Sequence, residues 1–268
     1  MRCELFRRYL SGWCSDYAES LAAIELFKVS TTLTTHQQRT YAAAFQTFRG
    51  HFVETAILPT LRLAKDSAVP TKYKDRIVQG VLAPLRDECG LGEEHNIPHD
   101  ELYQRFANSL GVNADAALWD RECQPESVRL YNRTLHRYLT SCLGRLWADV
   151  VRGIAVYLFL ERIDEFDYAM QLEFVNRFSL VRELSDSQRA RALEFYSVHA
   201  ALLDRHFESM TSLLDDLWES QEQEIRQASG FLADIHLRMY VGLSKHVLRG
   251  AIEEGHKVGR CNGFDRQR

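Results

Sequence analysis

Apolar residues recur at intervals of three and four along most of this 268-residue chain, and nowhere is there the clean alternation that a half-buried strand needs. That periodicity commits the chain to helices, and the fold class is all-α. Residues that make turns are scarce: five prolines and fourteen glycines leave little material for linkers. One domain is therefore expected over residues 1–268, with residues 1–35 as an N-terminal helical extension and 256–268 as a frayed tail. An apolar share of 46% beside 26% charged residues suffices to fill a core at this length.

The punctuation places the helices. A first helix is expected over Glu4–Phe27, broken by the Thr-rich run Val29–Thr35, and a second over His36–Leu58, stopped at Pro59. A third begins after Pro70 and ends at Glu88, before the glycines of Cys89-Gly-Leu-Gly92. Further helices are expected over His99–Leu110, Glu126–Cys142, Leu146–Glu165 and Asp167–Leu180. A long one starts at the Ser185-Asp-Ser-Gln188 cap and reaches at least Trp218, and a last one covers Glu222–Ile252.

Charge excludes some functions. A net charge of -4 and a pI near 6.2 give no basic face for nucleic acid, so a small-molecule substrate is expected. The six cysteines form no C-x-x-C pair, which reads as reduced thiols in a cytoplasmic protein. The most apolar run, Ile154–Leu160, is too short for a membrane span and is bounded by Arg152 and Glu161.

The chemistry-bearing feature is a set of acids and imidazoles on or beside apolar helix faces, where an unpaired charge is costly. Glu54 lies within Phe52-Val-Glu-Thr-Ala-Ile-Leu58, and Glu161 follows the apolar run Ala155–Leu160. His199 and His206 are seven residues apart and return to the same helix face within about 20°. Carboxylates and imidazoles projecting inward from several helices are what a helical bundle uses to hold iron. The ferritin-like spacing Glu-x-x-His occurs only at Glu253–His256, near the frayed end, which disfavours that version.

The stretch Asp87-Glu-Cys-Gly-Leu-Gly-Glu-Glu-His-Asn-Ile-Pro-His-Asp-Glu-Leu-Tyr-Gln-Arg-Phe-Ala-Asn-Ser-Leu-Gly111 resembles the haem-oxygenase-like diiron oxidases. Those carry an acid, a glycine-containing loop, His-x-x-Leu-(Phe/Tyr)-x-x-Phe and a Leu-Gly end. Glu54, 34 residues before Glu88, the run ending in Glu161, and Phe195-Tyr-Ser-Val-His-Ala-Ala-Leu-Leu-Asp-Arg-His206 are similar to the family's other motifs, so the resemblance covers about Gln37 to Glu208. It implies a bundle of about seven core helices. It also implies two Fe(II) ions per chain with O2 as cosubstrate, and Glu54, Glu88, His99, Glu161, His199, Asp204 and His206 as ligands.

The implied reaction reduces O2 to a bridging peroxide that functionalises, desaturates, cleaves or N-oxygenates a small aliphatic substrate, a free amino acid being favoured over a fatty acid. An external electron donor and a homodimer are compatible with it. The family's aspartate falls four residues after the first histidine, where this chain has Leu203; regular helix turns Asp204 about 140° away from His199. Either a π-type bulge rotates Asp204 inward or that ligand is missing, and the bulge is preferred. Between His95 and His99, His99 fits the motif.

Bland readings stand beside these. Glu88 alone would read as a solvated helix-end carboxylate, and His36, His51, His136, His236, His246 and His256 as ordinary surface or core residues. The rivals to a diiron enzyme are a metal-free thiaminase-like or quinone-cofactor enzyme on the same scaffold, haem oxygenase itself, and a helical interaction protein with a buried ion network.

Overall fold

The computed structural model describes residues 3–91, 96–119, 124–201 and 203–249, and every regular element among them is a helix. Helix α1 (Cys3–Ala22) is followed by the short α2 (Glu25–Lys28), so the expected first helix is interrupted by a turn at Ala23 and Ile24. Helix α3 (Thr35–Arg49) opens on a capping box. The Gln37 amide donates to the Thr34 hydroxyl at 3.2 Å, and the Thr34 amide donates to the Gln37 side chain at 2.9 Å.

The expectation of one helix to Leu58 is corrected. Helix α3 ends at Arg49, and the chain passes through a π-turn, Val53–Ile57, into α4 (Leu58–Ala64). The Leu58 amide donates five residues back to the Val53 carbonyl. Pro59, which has no N–H to donate, sits at the start of α4, where none is required.

Helix α5 (Thr71–Glu88) ends at a left-handed glycine, Gly90, with φ 70°. Helices α6 (His99–Ser109), α7 (Ala114–Trp119) and α8 (Glu126–Ser141) follow; α7 was not expected from the sequence. The two helices expected between Leu146 and Leu180 are largely one, α9 (Trp147–Asn176), followed by the short α10 (Ser179–Arg182). The stretch between the two expected helices holds neither glycine nor proline, and the helix runs through it. Helix α11 (Asp186–Ala201) and α12 (Leu203–Arg249) complete the fold, and α12 is bent at Gln221, where φ is −137°.

Helix α9 is the axis of the bundle. Ile154, Ala155, Val156, Tyr157, Leu158, Phe159 and Leu160 are all fully buried, so this segment is apolar all round because neighbours surround it. Helices α1, α4, α8, α11 and α12 pack against it. Each large side chain so buried contributes about 1.5–3 kcal/mol, which explains why the most apolar run of the sequence became the central helix. No helix is long and apolar enough to cross a membrane, among the described residues. The N-terminal helix is integral, with Phe6, Leu10, Cys14, Tyr17 and Leu21 all buried.

Two glycines of α12 make opposite predictions. A Cβ at Gly242 would lie 2.2 Å from the Ser127 Cβ on α8, so Gly242→Ala should destabilise the protein by about 1–3 kcal/mol in chemical denaturation. Gly230 has open space, and Gly230→Ala in the same assay should be neutral or gain up to about 1 kcal/mol.

Candidate metal centre

Glu88 closes α5 and His99 opens α6. A Cβ on Gly90 would meet the Pro98 backbone nitrogen at 2.5 Å, so only glycine lets the two ends approach this closely. The result sets the Nδ1 of His99 3.0 Å from Oε1 of Glu88. His199, on the last full turn of α11, brings its ring to 4.2 Å from that of His99, centroid to centroid. One ligand atom from each of Glu88, His99 and His199 lies within 4.8 Å of the other two.

The hydrogen bonds orient both imidazoles. His199 Nδ1 is 2.7 Å from the Phe195 carbonyl, which can only accept, so Nδ1 carries the proton. His99 Nδ1 likewise donates to the Glu88 carboxylate. The Nε2 atoms of both rings are buried and without a partner, and that of His199 is a bare lone pair. Holding Nδ1–H on a carboxylate or a backbone carbonyl is how proteins orient histidines that bind metal. Burial, together with the charges of nearby His99 and Arg49, pulls the His199 pKa well below its ordinary value, so the ring is neutral.

Glu88 is a buried anion with two partners. Desolvation raises its pKa, but Arg49, whose Nη2 lies 2.8 Å from Oε2, and the His99 contact outweigh that and hold it at about 2. Arg49 ends α3; its side chain is 2% exposed, and its guanidinium lies 4.9 Å from the Phe195 ring centroid.

Helix α9 supplies two further acids. Desolvation lifts Glu161 to about 7 against the neighbouring Tyr157 hydroxyl, and its Oε1 has no partner. Asp164, one turn later, is raised well above its usual range by burial and then by the charge of Glu161. The donor set is thus two unpartnered imidazole nitrogens, an ionised carboxylate and two acids whose ionised forms burial disfavours. A divalent cation fits it, because bringing in positive charge relieves each of these groups.

Of the residues singled out from sequence, Glu88, His99 and His199 come together, with Glu161 near enough for Glu88 to raise its pKa. Glu54 does not join them: it is exposed within the π-turn, and its charge acts on Asp100. The side chains of Asp204 and His206 lie outside the described residues, as does His95.

Sequence reasoning missed Asp164, although its spacing from Glu161 offered a signal, and it missed Arg49. Two arginines near Glu161 in sequence have other partners. Arg152 pairs with Asp149, Arg162 lies over the Phe166 ring, and the Arg205 side chain is not among those described.

A second buried polar cluster sits further along α9. The Tyr17 hydroxyl lies 3.0 Å from Asp167 Oδ1 and 2.8 Å from His236 Nδ1, and the Tyr240 hydroxyl donates to Asp167 Oδ2 at 3.0 Å. Gln171 donates to Tyr240 and accepts from Tyr41, each at 2.8 Å. His236 is thus a core histidine, as the bland reading of it had it.

No family model matches the chain, and no curated protein sequence does. Solved structures do. A TenA homolog from Pseudomonas syringae pv. tomato matches with a TM-score of 0.65 at 14% identity, over 91% of this chain and 93% of that one. A domain of unknown function with a haem-oxygenase-like fold, from Shewanella denitrificans, matches with a TM-score of 0.67 at 10% identity, over 94% and 97%. The chain is accordingly an all-α protein of the haem-oxygenase-like fold. At these identities the likeness carries the fold alone.

The second cluster generates a pH prediction. Burial raises Asp167 to about 7 and lowers His236 to about 3. Between about pH 4 and 6.5 the folded state holds a proton on Asp167 and the unfolded state holds one on histidine, so the two contributions cancel. Relative to the wild type, Asp167→Asn leaves His236 uncompensated, so the slope of stability against pH, measured by urea unfolding across that window, should become more positive. His236→Gln leaves Asp167 uncompensated, and the slope should become more negative than in the wild type.

Proposed function

We propose that this protein is an O2-dependent non-haem diiron oxidase or oxygenase acting on a small aliphatic substrate, with a free amino acid as the first class to test. The observation that carries this reading is the pair of unpartnered, buried imidazole nitrogens beside Glu88. Glu88, His99 and His199 would hold one ion. Glu161 and Asp164 are available to a second, together with Asp204 and His206 as the family motifs imply. When bound, ferrous iron would supply the activation of O2 that no side chain here can provide.

The chain's own residues account for the rest of the site. The Phe195 carbonyl and the Glu88 carboxylate each accept from an Nδ1–H, of His199 and His99 respectively, and so turn both Nε2 atoms towards the site without rearrangement. The rings of Tyr168 and Phe195, 4.2 and 4.3 Å from that of His199, exclude water from this side of the site. Burial lifts Glu161 to about 7, so a cation arriving there favours its ionised form and displaces the proton.

One observation favours a second reading. Arg49 already supplies a cation to Glu88, as a metal-free enzyme using these groups for acid–base work would require. The likeness to a TenA homolog is compatible with such a thiaminase-type enzyme. Metal content separates the two readings. Given ferrous iron without oxygen, the protein should take up about two equivalents and then consume O2 when an amino-acid substrate is supplied. His199→Ala and Glu88→Ala should each lose at least one equivalent by metal analysis. Full iron retention in both variants would contradict the assignment.

A further inference from the structure

Arg49 is a buried cation that the metal-binding reading leaves without a role. Its present partners are Glu88 Oε2 at 2.8 Å and, less closely, Asp100 Oδ1 at 3.5 Å, both through Nη2. Its Nε has no partner. Nε and Nη2 share one edge of the guanidinium plane, the edge that receives a carboxylate through two parallel hydrogen bonds. One donor of that edge is engaged and the other is bare.

A cation placed among Glu88, His99 and His199 draws on the charge of Glu88 and weakens its hold on Arg49. Of the other acids that act on Arg49, Asp164 is taken up by the second ion in this reading, and Asp100, 60% exposed and at the long end of ion-pair distance, cannot neutralise a guanidinium that is 2% exposed. A buried cation without an anion is costly. The metal-loaded site therefore calls for one more anion, on the Nε–Nη2 edge and beside the Phe195 ring.

We propose that Arg49 is the substrate anchor, binding the carboxylate of a small aliphatic acid through its Nε–Nη2 edge and directing the aliphatic part across Phe195 towards the metal ligands. This deepens the metal-dependent reading above and rests on it. It limits the substrate class to carboxylic acids, amino acids included, and excludes amines that lack the carboxylate. Glu88 acts as the built-in stand-in for that carboxylate while the site holds no cation.

The test uses the full chain loaded with Co(II), whose visible absorption reports both metal content and ligand binding. The probes are L-norvaline, valerate and butylamine, which share an aliphatic chain and differ in carrying a carboxylate. Norvaline and valerate should perturb the cobalt spectrum and butylamine should not. Arg49→Gln should weaken both acids at least tenfold at unchanged cobalt content, with Arg49→Lys intermediate because it keeps the charge and loses the fork. Asp100→Asn, which removes only the competing partner, should leave acid affinity equal or raise it.

Equal binding of butylamine and the acids would overturn the proposal, as would unchanged acid affinity in a cobalt-loaded Arg49→Gln protein. Should Arg49→Gln fail to fold, full acid affinity in Arg49→Lys or a tenfold loss in Asp100→Asn would overturn it instead. Failure of the wild-type chain to take up cobalt is a separate outcome: it removes the metal-dependent reading, and the anchor role with it.

Discussion

The site turns on one buried carboxylate with two positively inclined neighbours. Glu88 is shared between the Arg49 guanidinium and the His99 imidazole, which brings the end of α3, the end of α5 and the start of α6 to a single point. The ring contact between His99 and His199 adds α11. An ionised carboxylate is tolerated in such a place only because both of its oxygens are engaged, and breaking either contact leaves a charge with no solvent to fall back on. The geometry of four helices at this end of the bundle therefore follows from how one acid is satisfied.

Helix α9 explains how so apolar a core also carries acids. Its first half is buried on every side and provides adhesion. Its second half distributes acids by helical phase: Glu161 and Asp164 share one face near Glu88, while Asp167 and Gln171 face the tyrosines of α1, α3 and α12. The two groups differ in what satisfies them. Asp167 has its hydroxyl partners in place, whereas Glu161 keeps an oxygen without one. Chemistry is to be sought where satisfaction is incomplete, and structural rigidity where it is complete.

The helices and several site residues were legible in the sequence, for physical reasons that also mark where legibility stopped. His199 stands in an apolar face and Glu161 ends an apolar run, so burial announced both. Glu88 and His99 announced themselves only in combination, since it is the left-handed turn at Gly90 and the approach of Pro98 that bring a helix end and a helix start together. Arg49 could not be read, because an arginine at a helix C-terminus is ordinary and its burial depends on acids 39 and 51 residues further along the chain. Glu54 was read as inward from its apolar neighbours. Regular helical phase does not hold across the π-turn that contains it, and the side chain is exposed.

The docking of the first helix bears on how the chain reaches this state at all. Tyr17 precedes Asp167 and His236, against which its hydroxyl closes, by 150 and 219 residues, so its contacts wait until both are in place. Until then the apolar stripe of α1 has no lasting cover, and the ordering entropy of a very long loop opposes its attachment. The docking of α1 on α9 and α12 therefore closes the longest loops of the described fold, and an apolar stripe left open until then is the kind of surface on which aggregation begins.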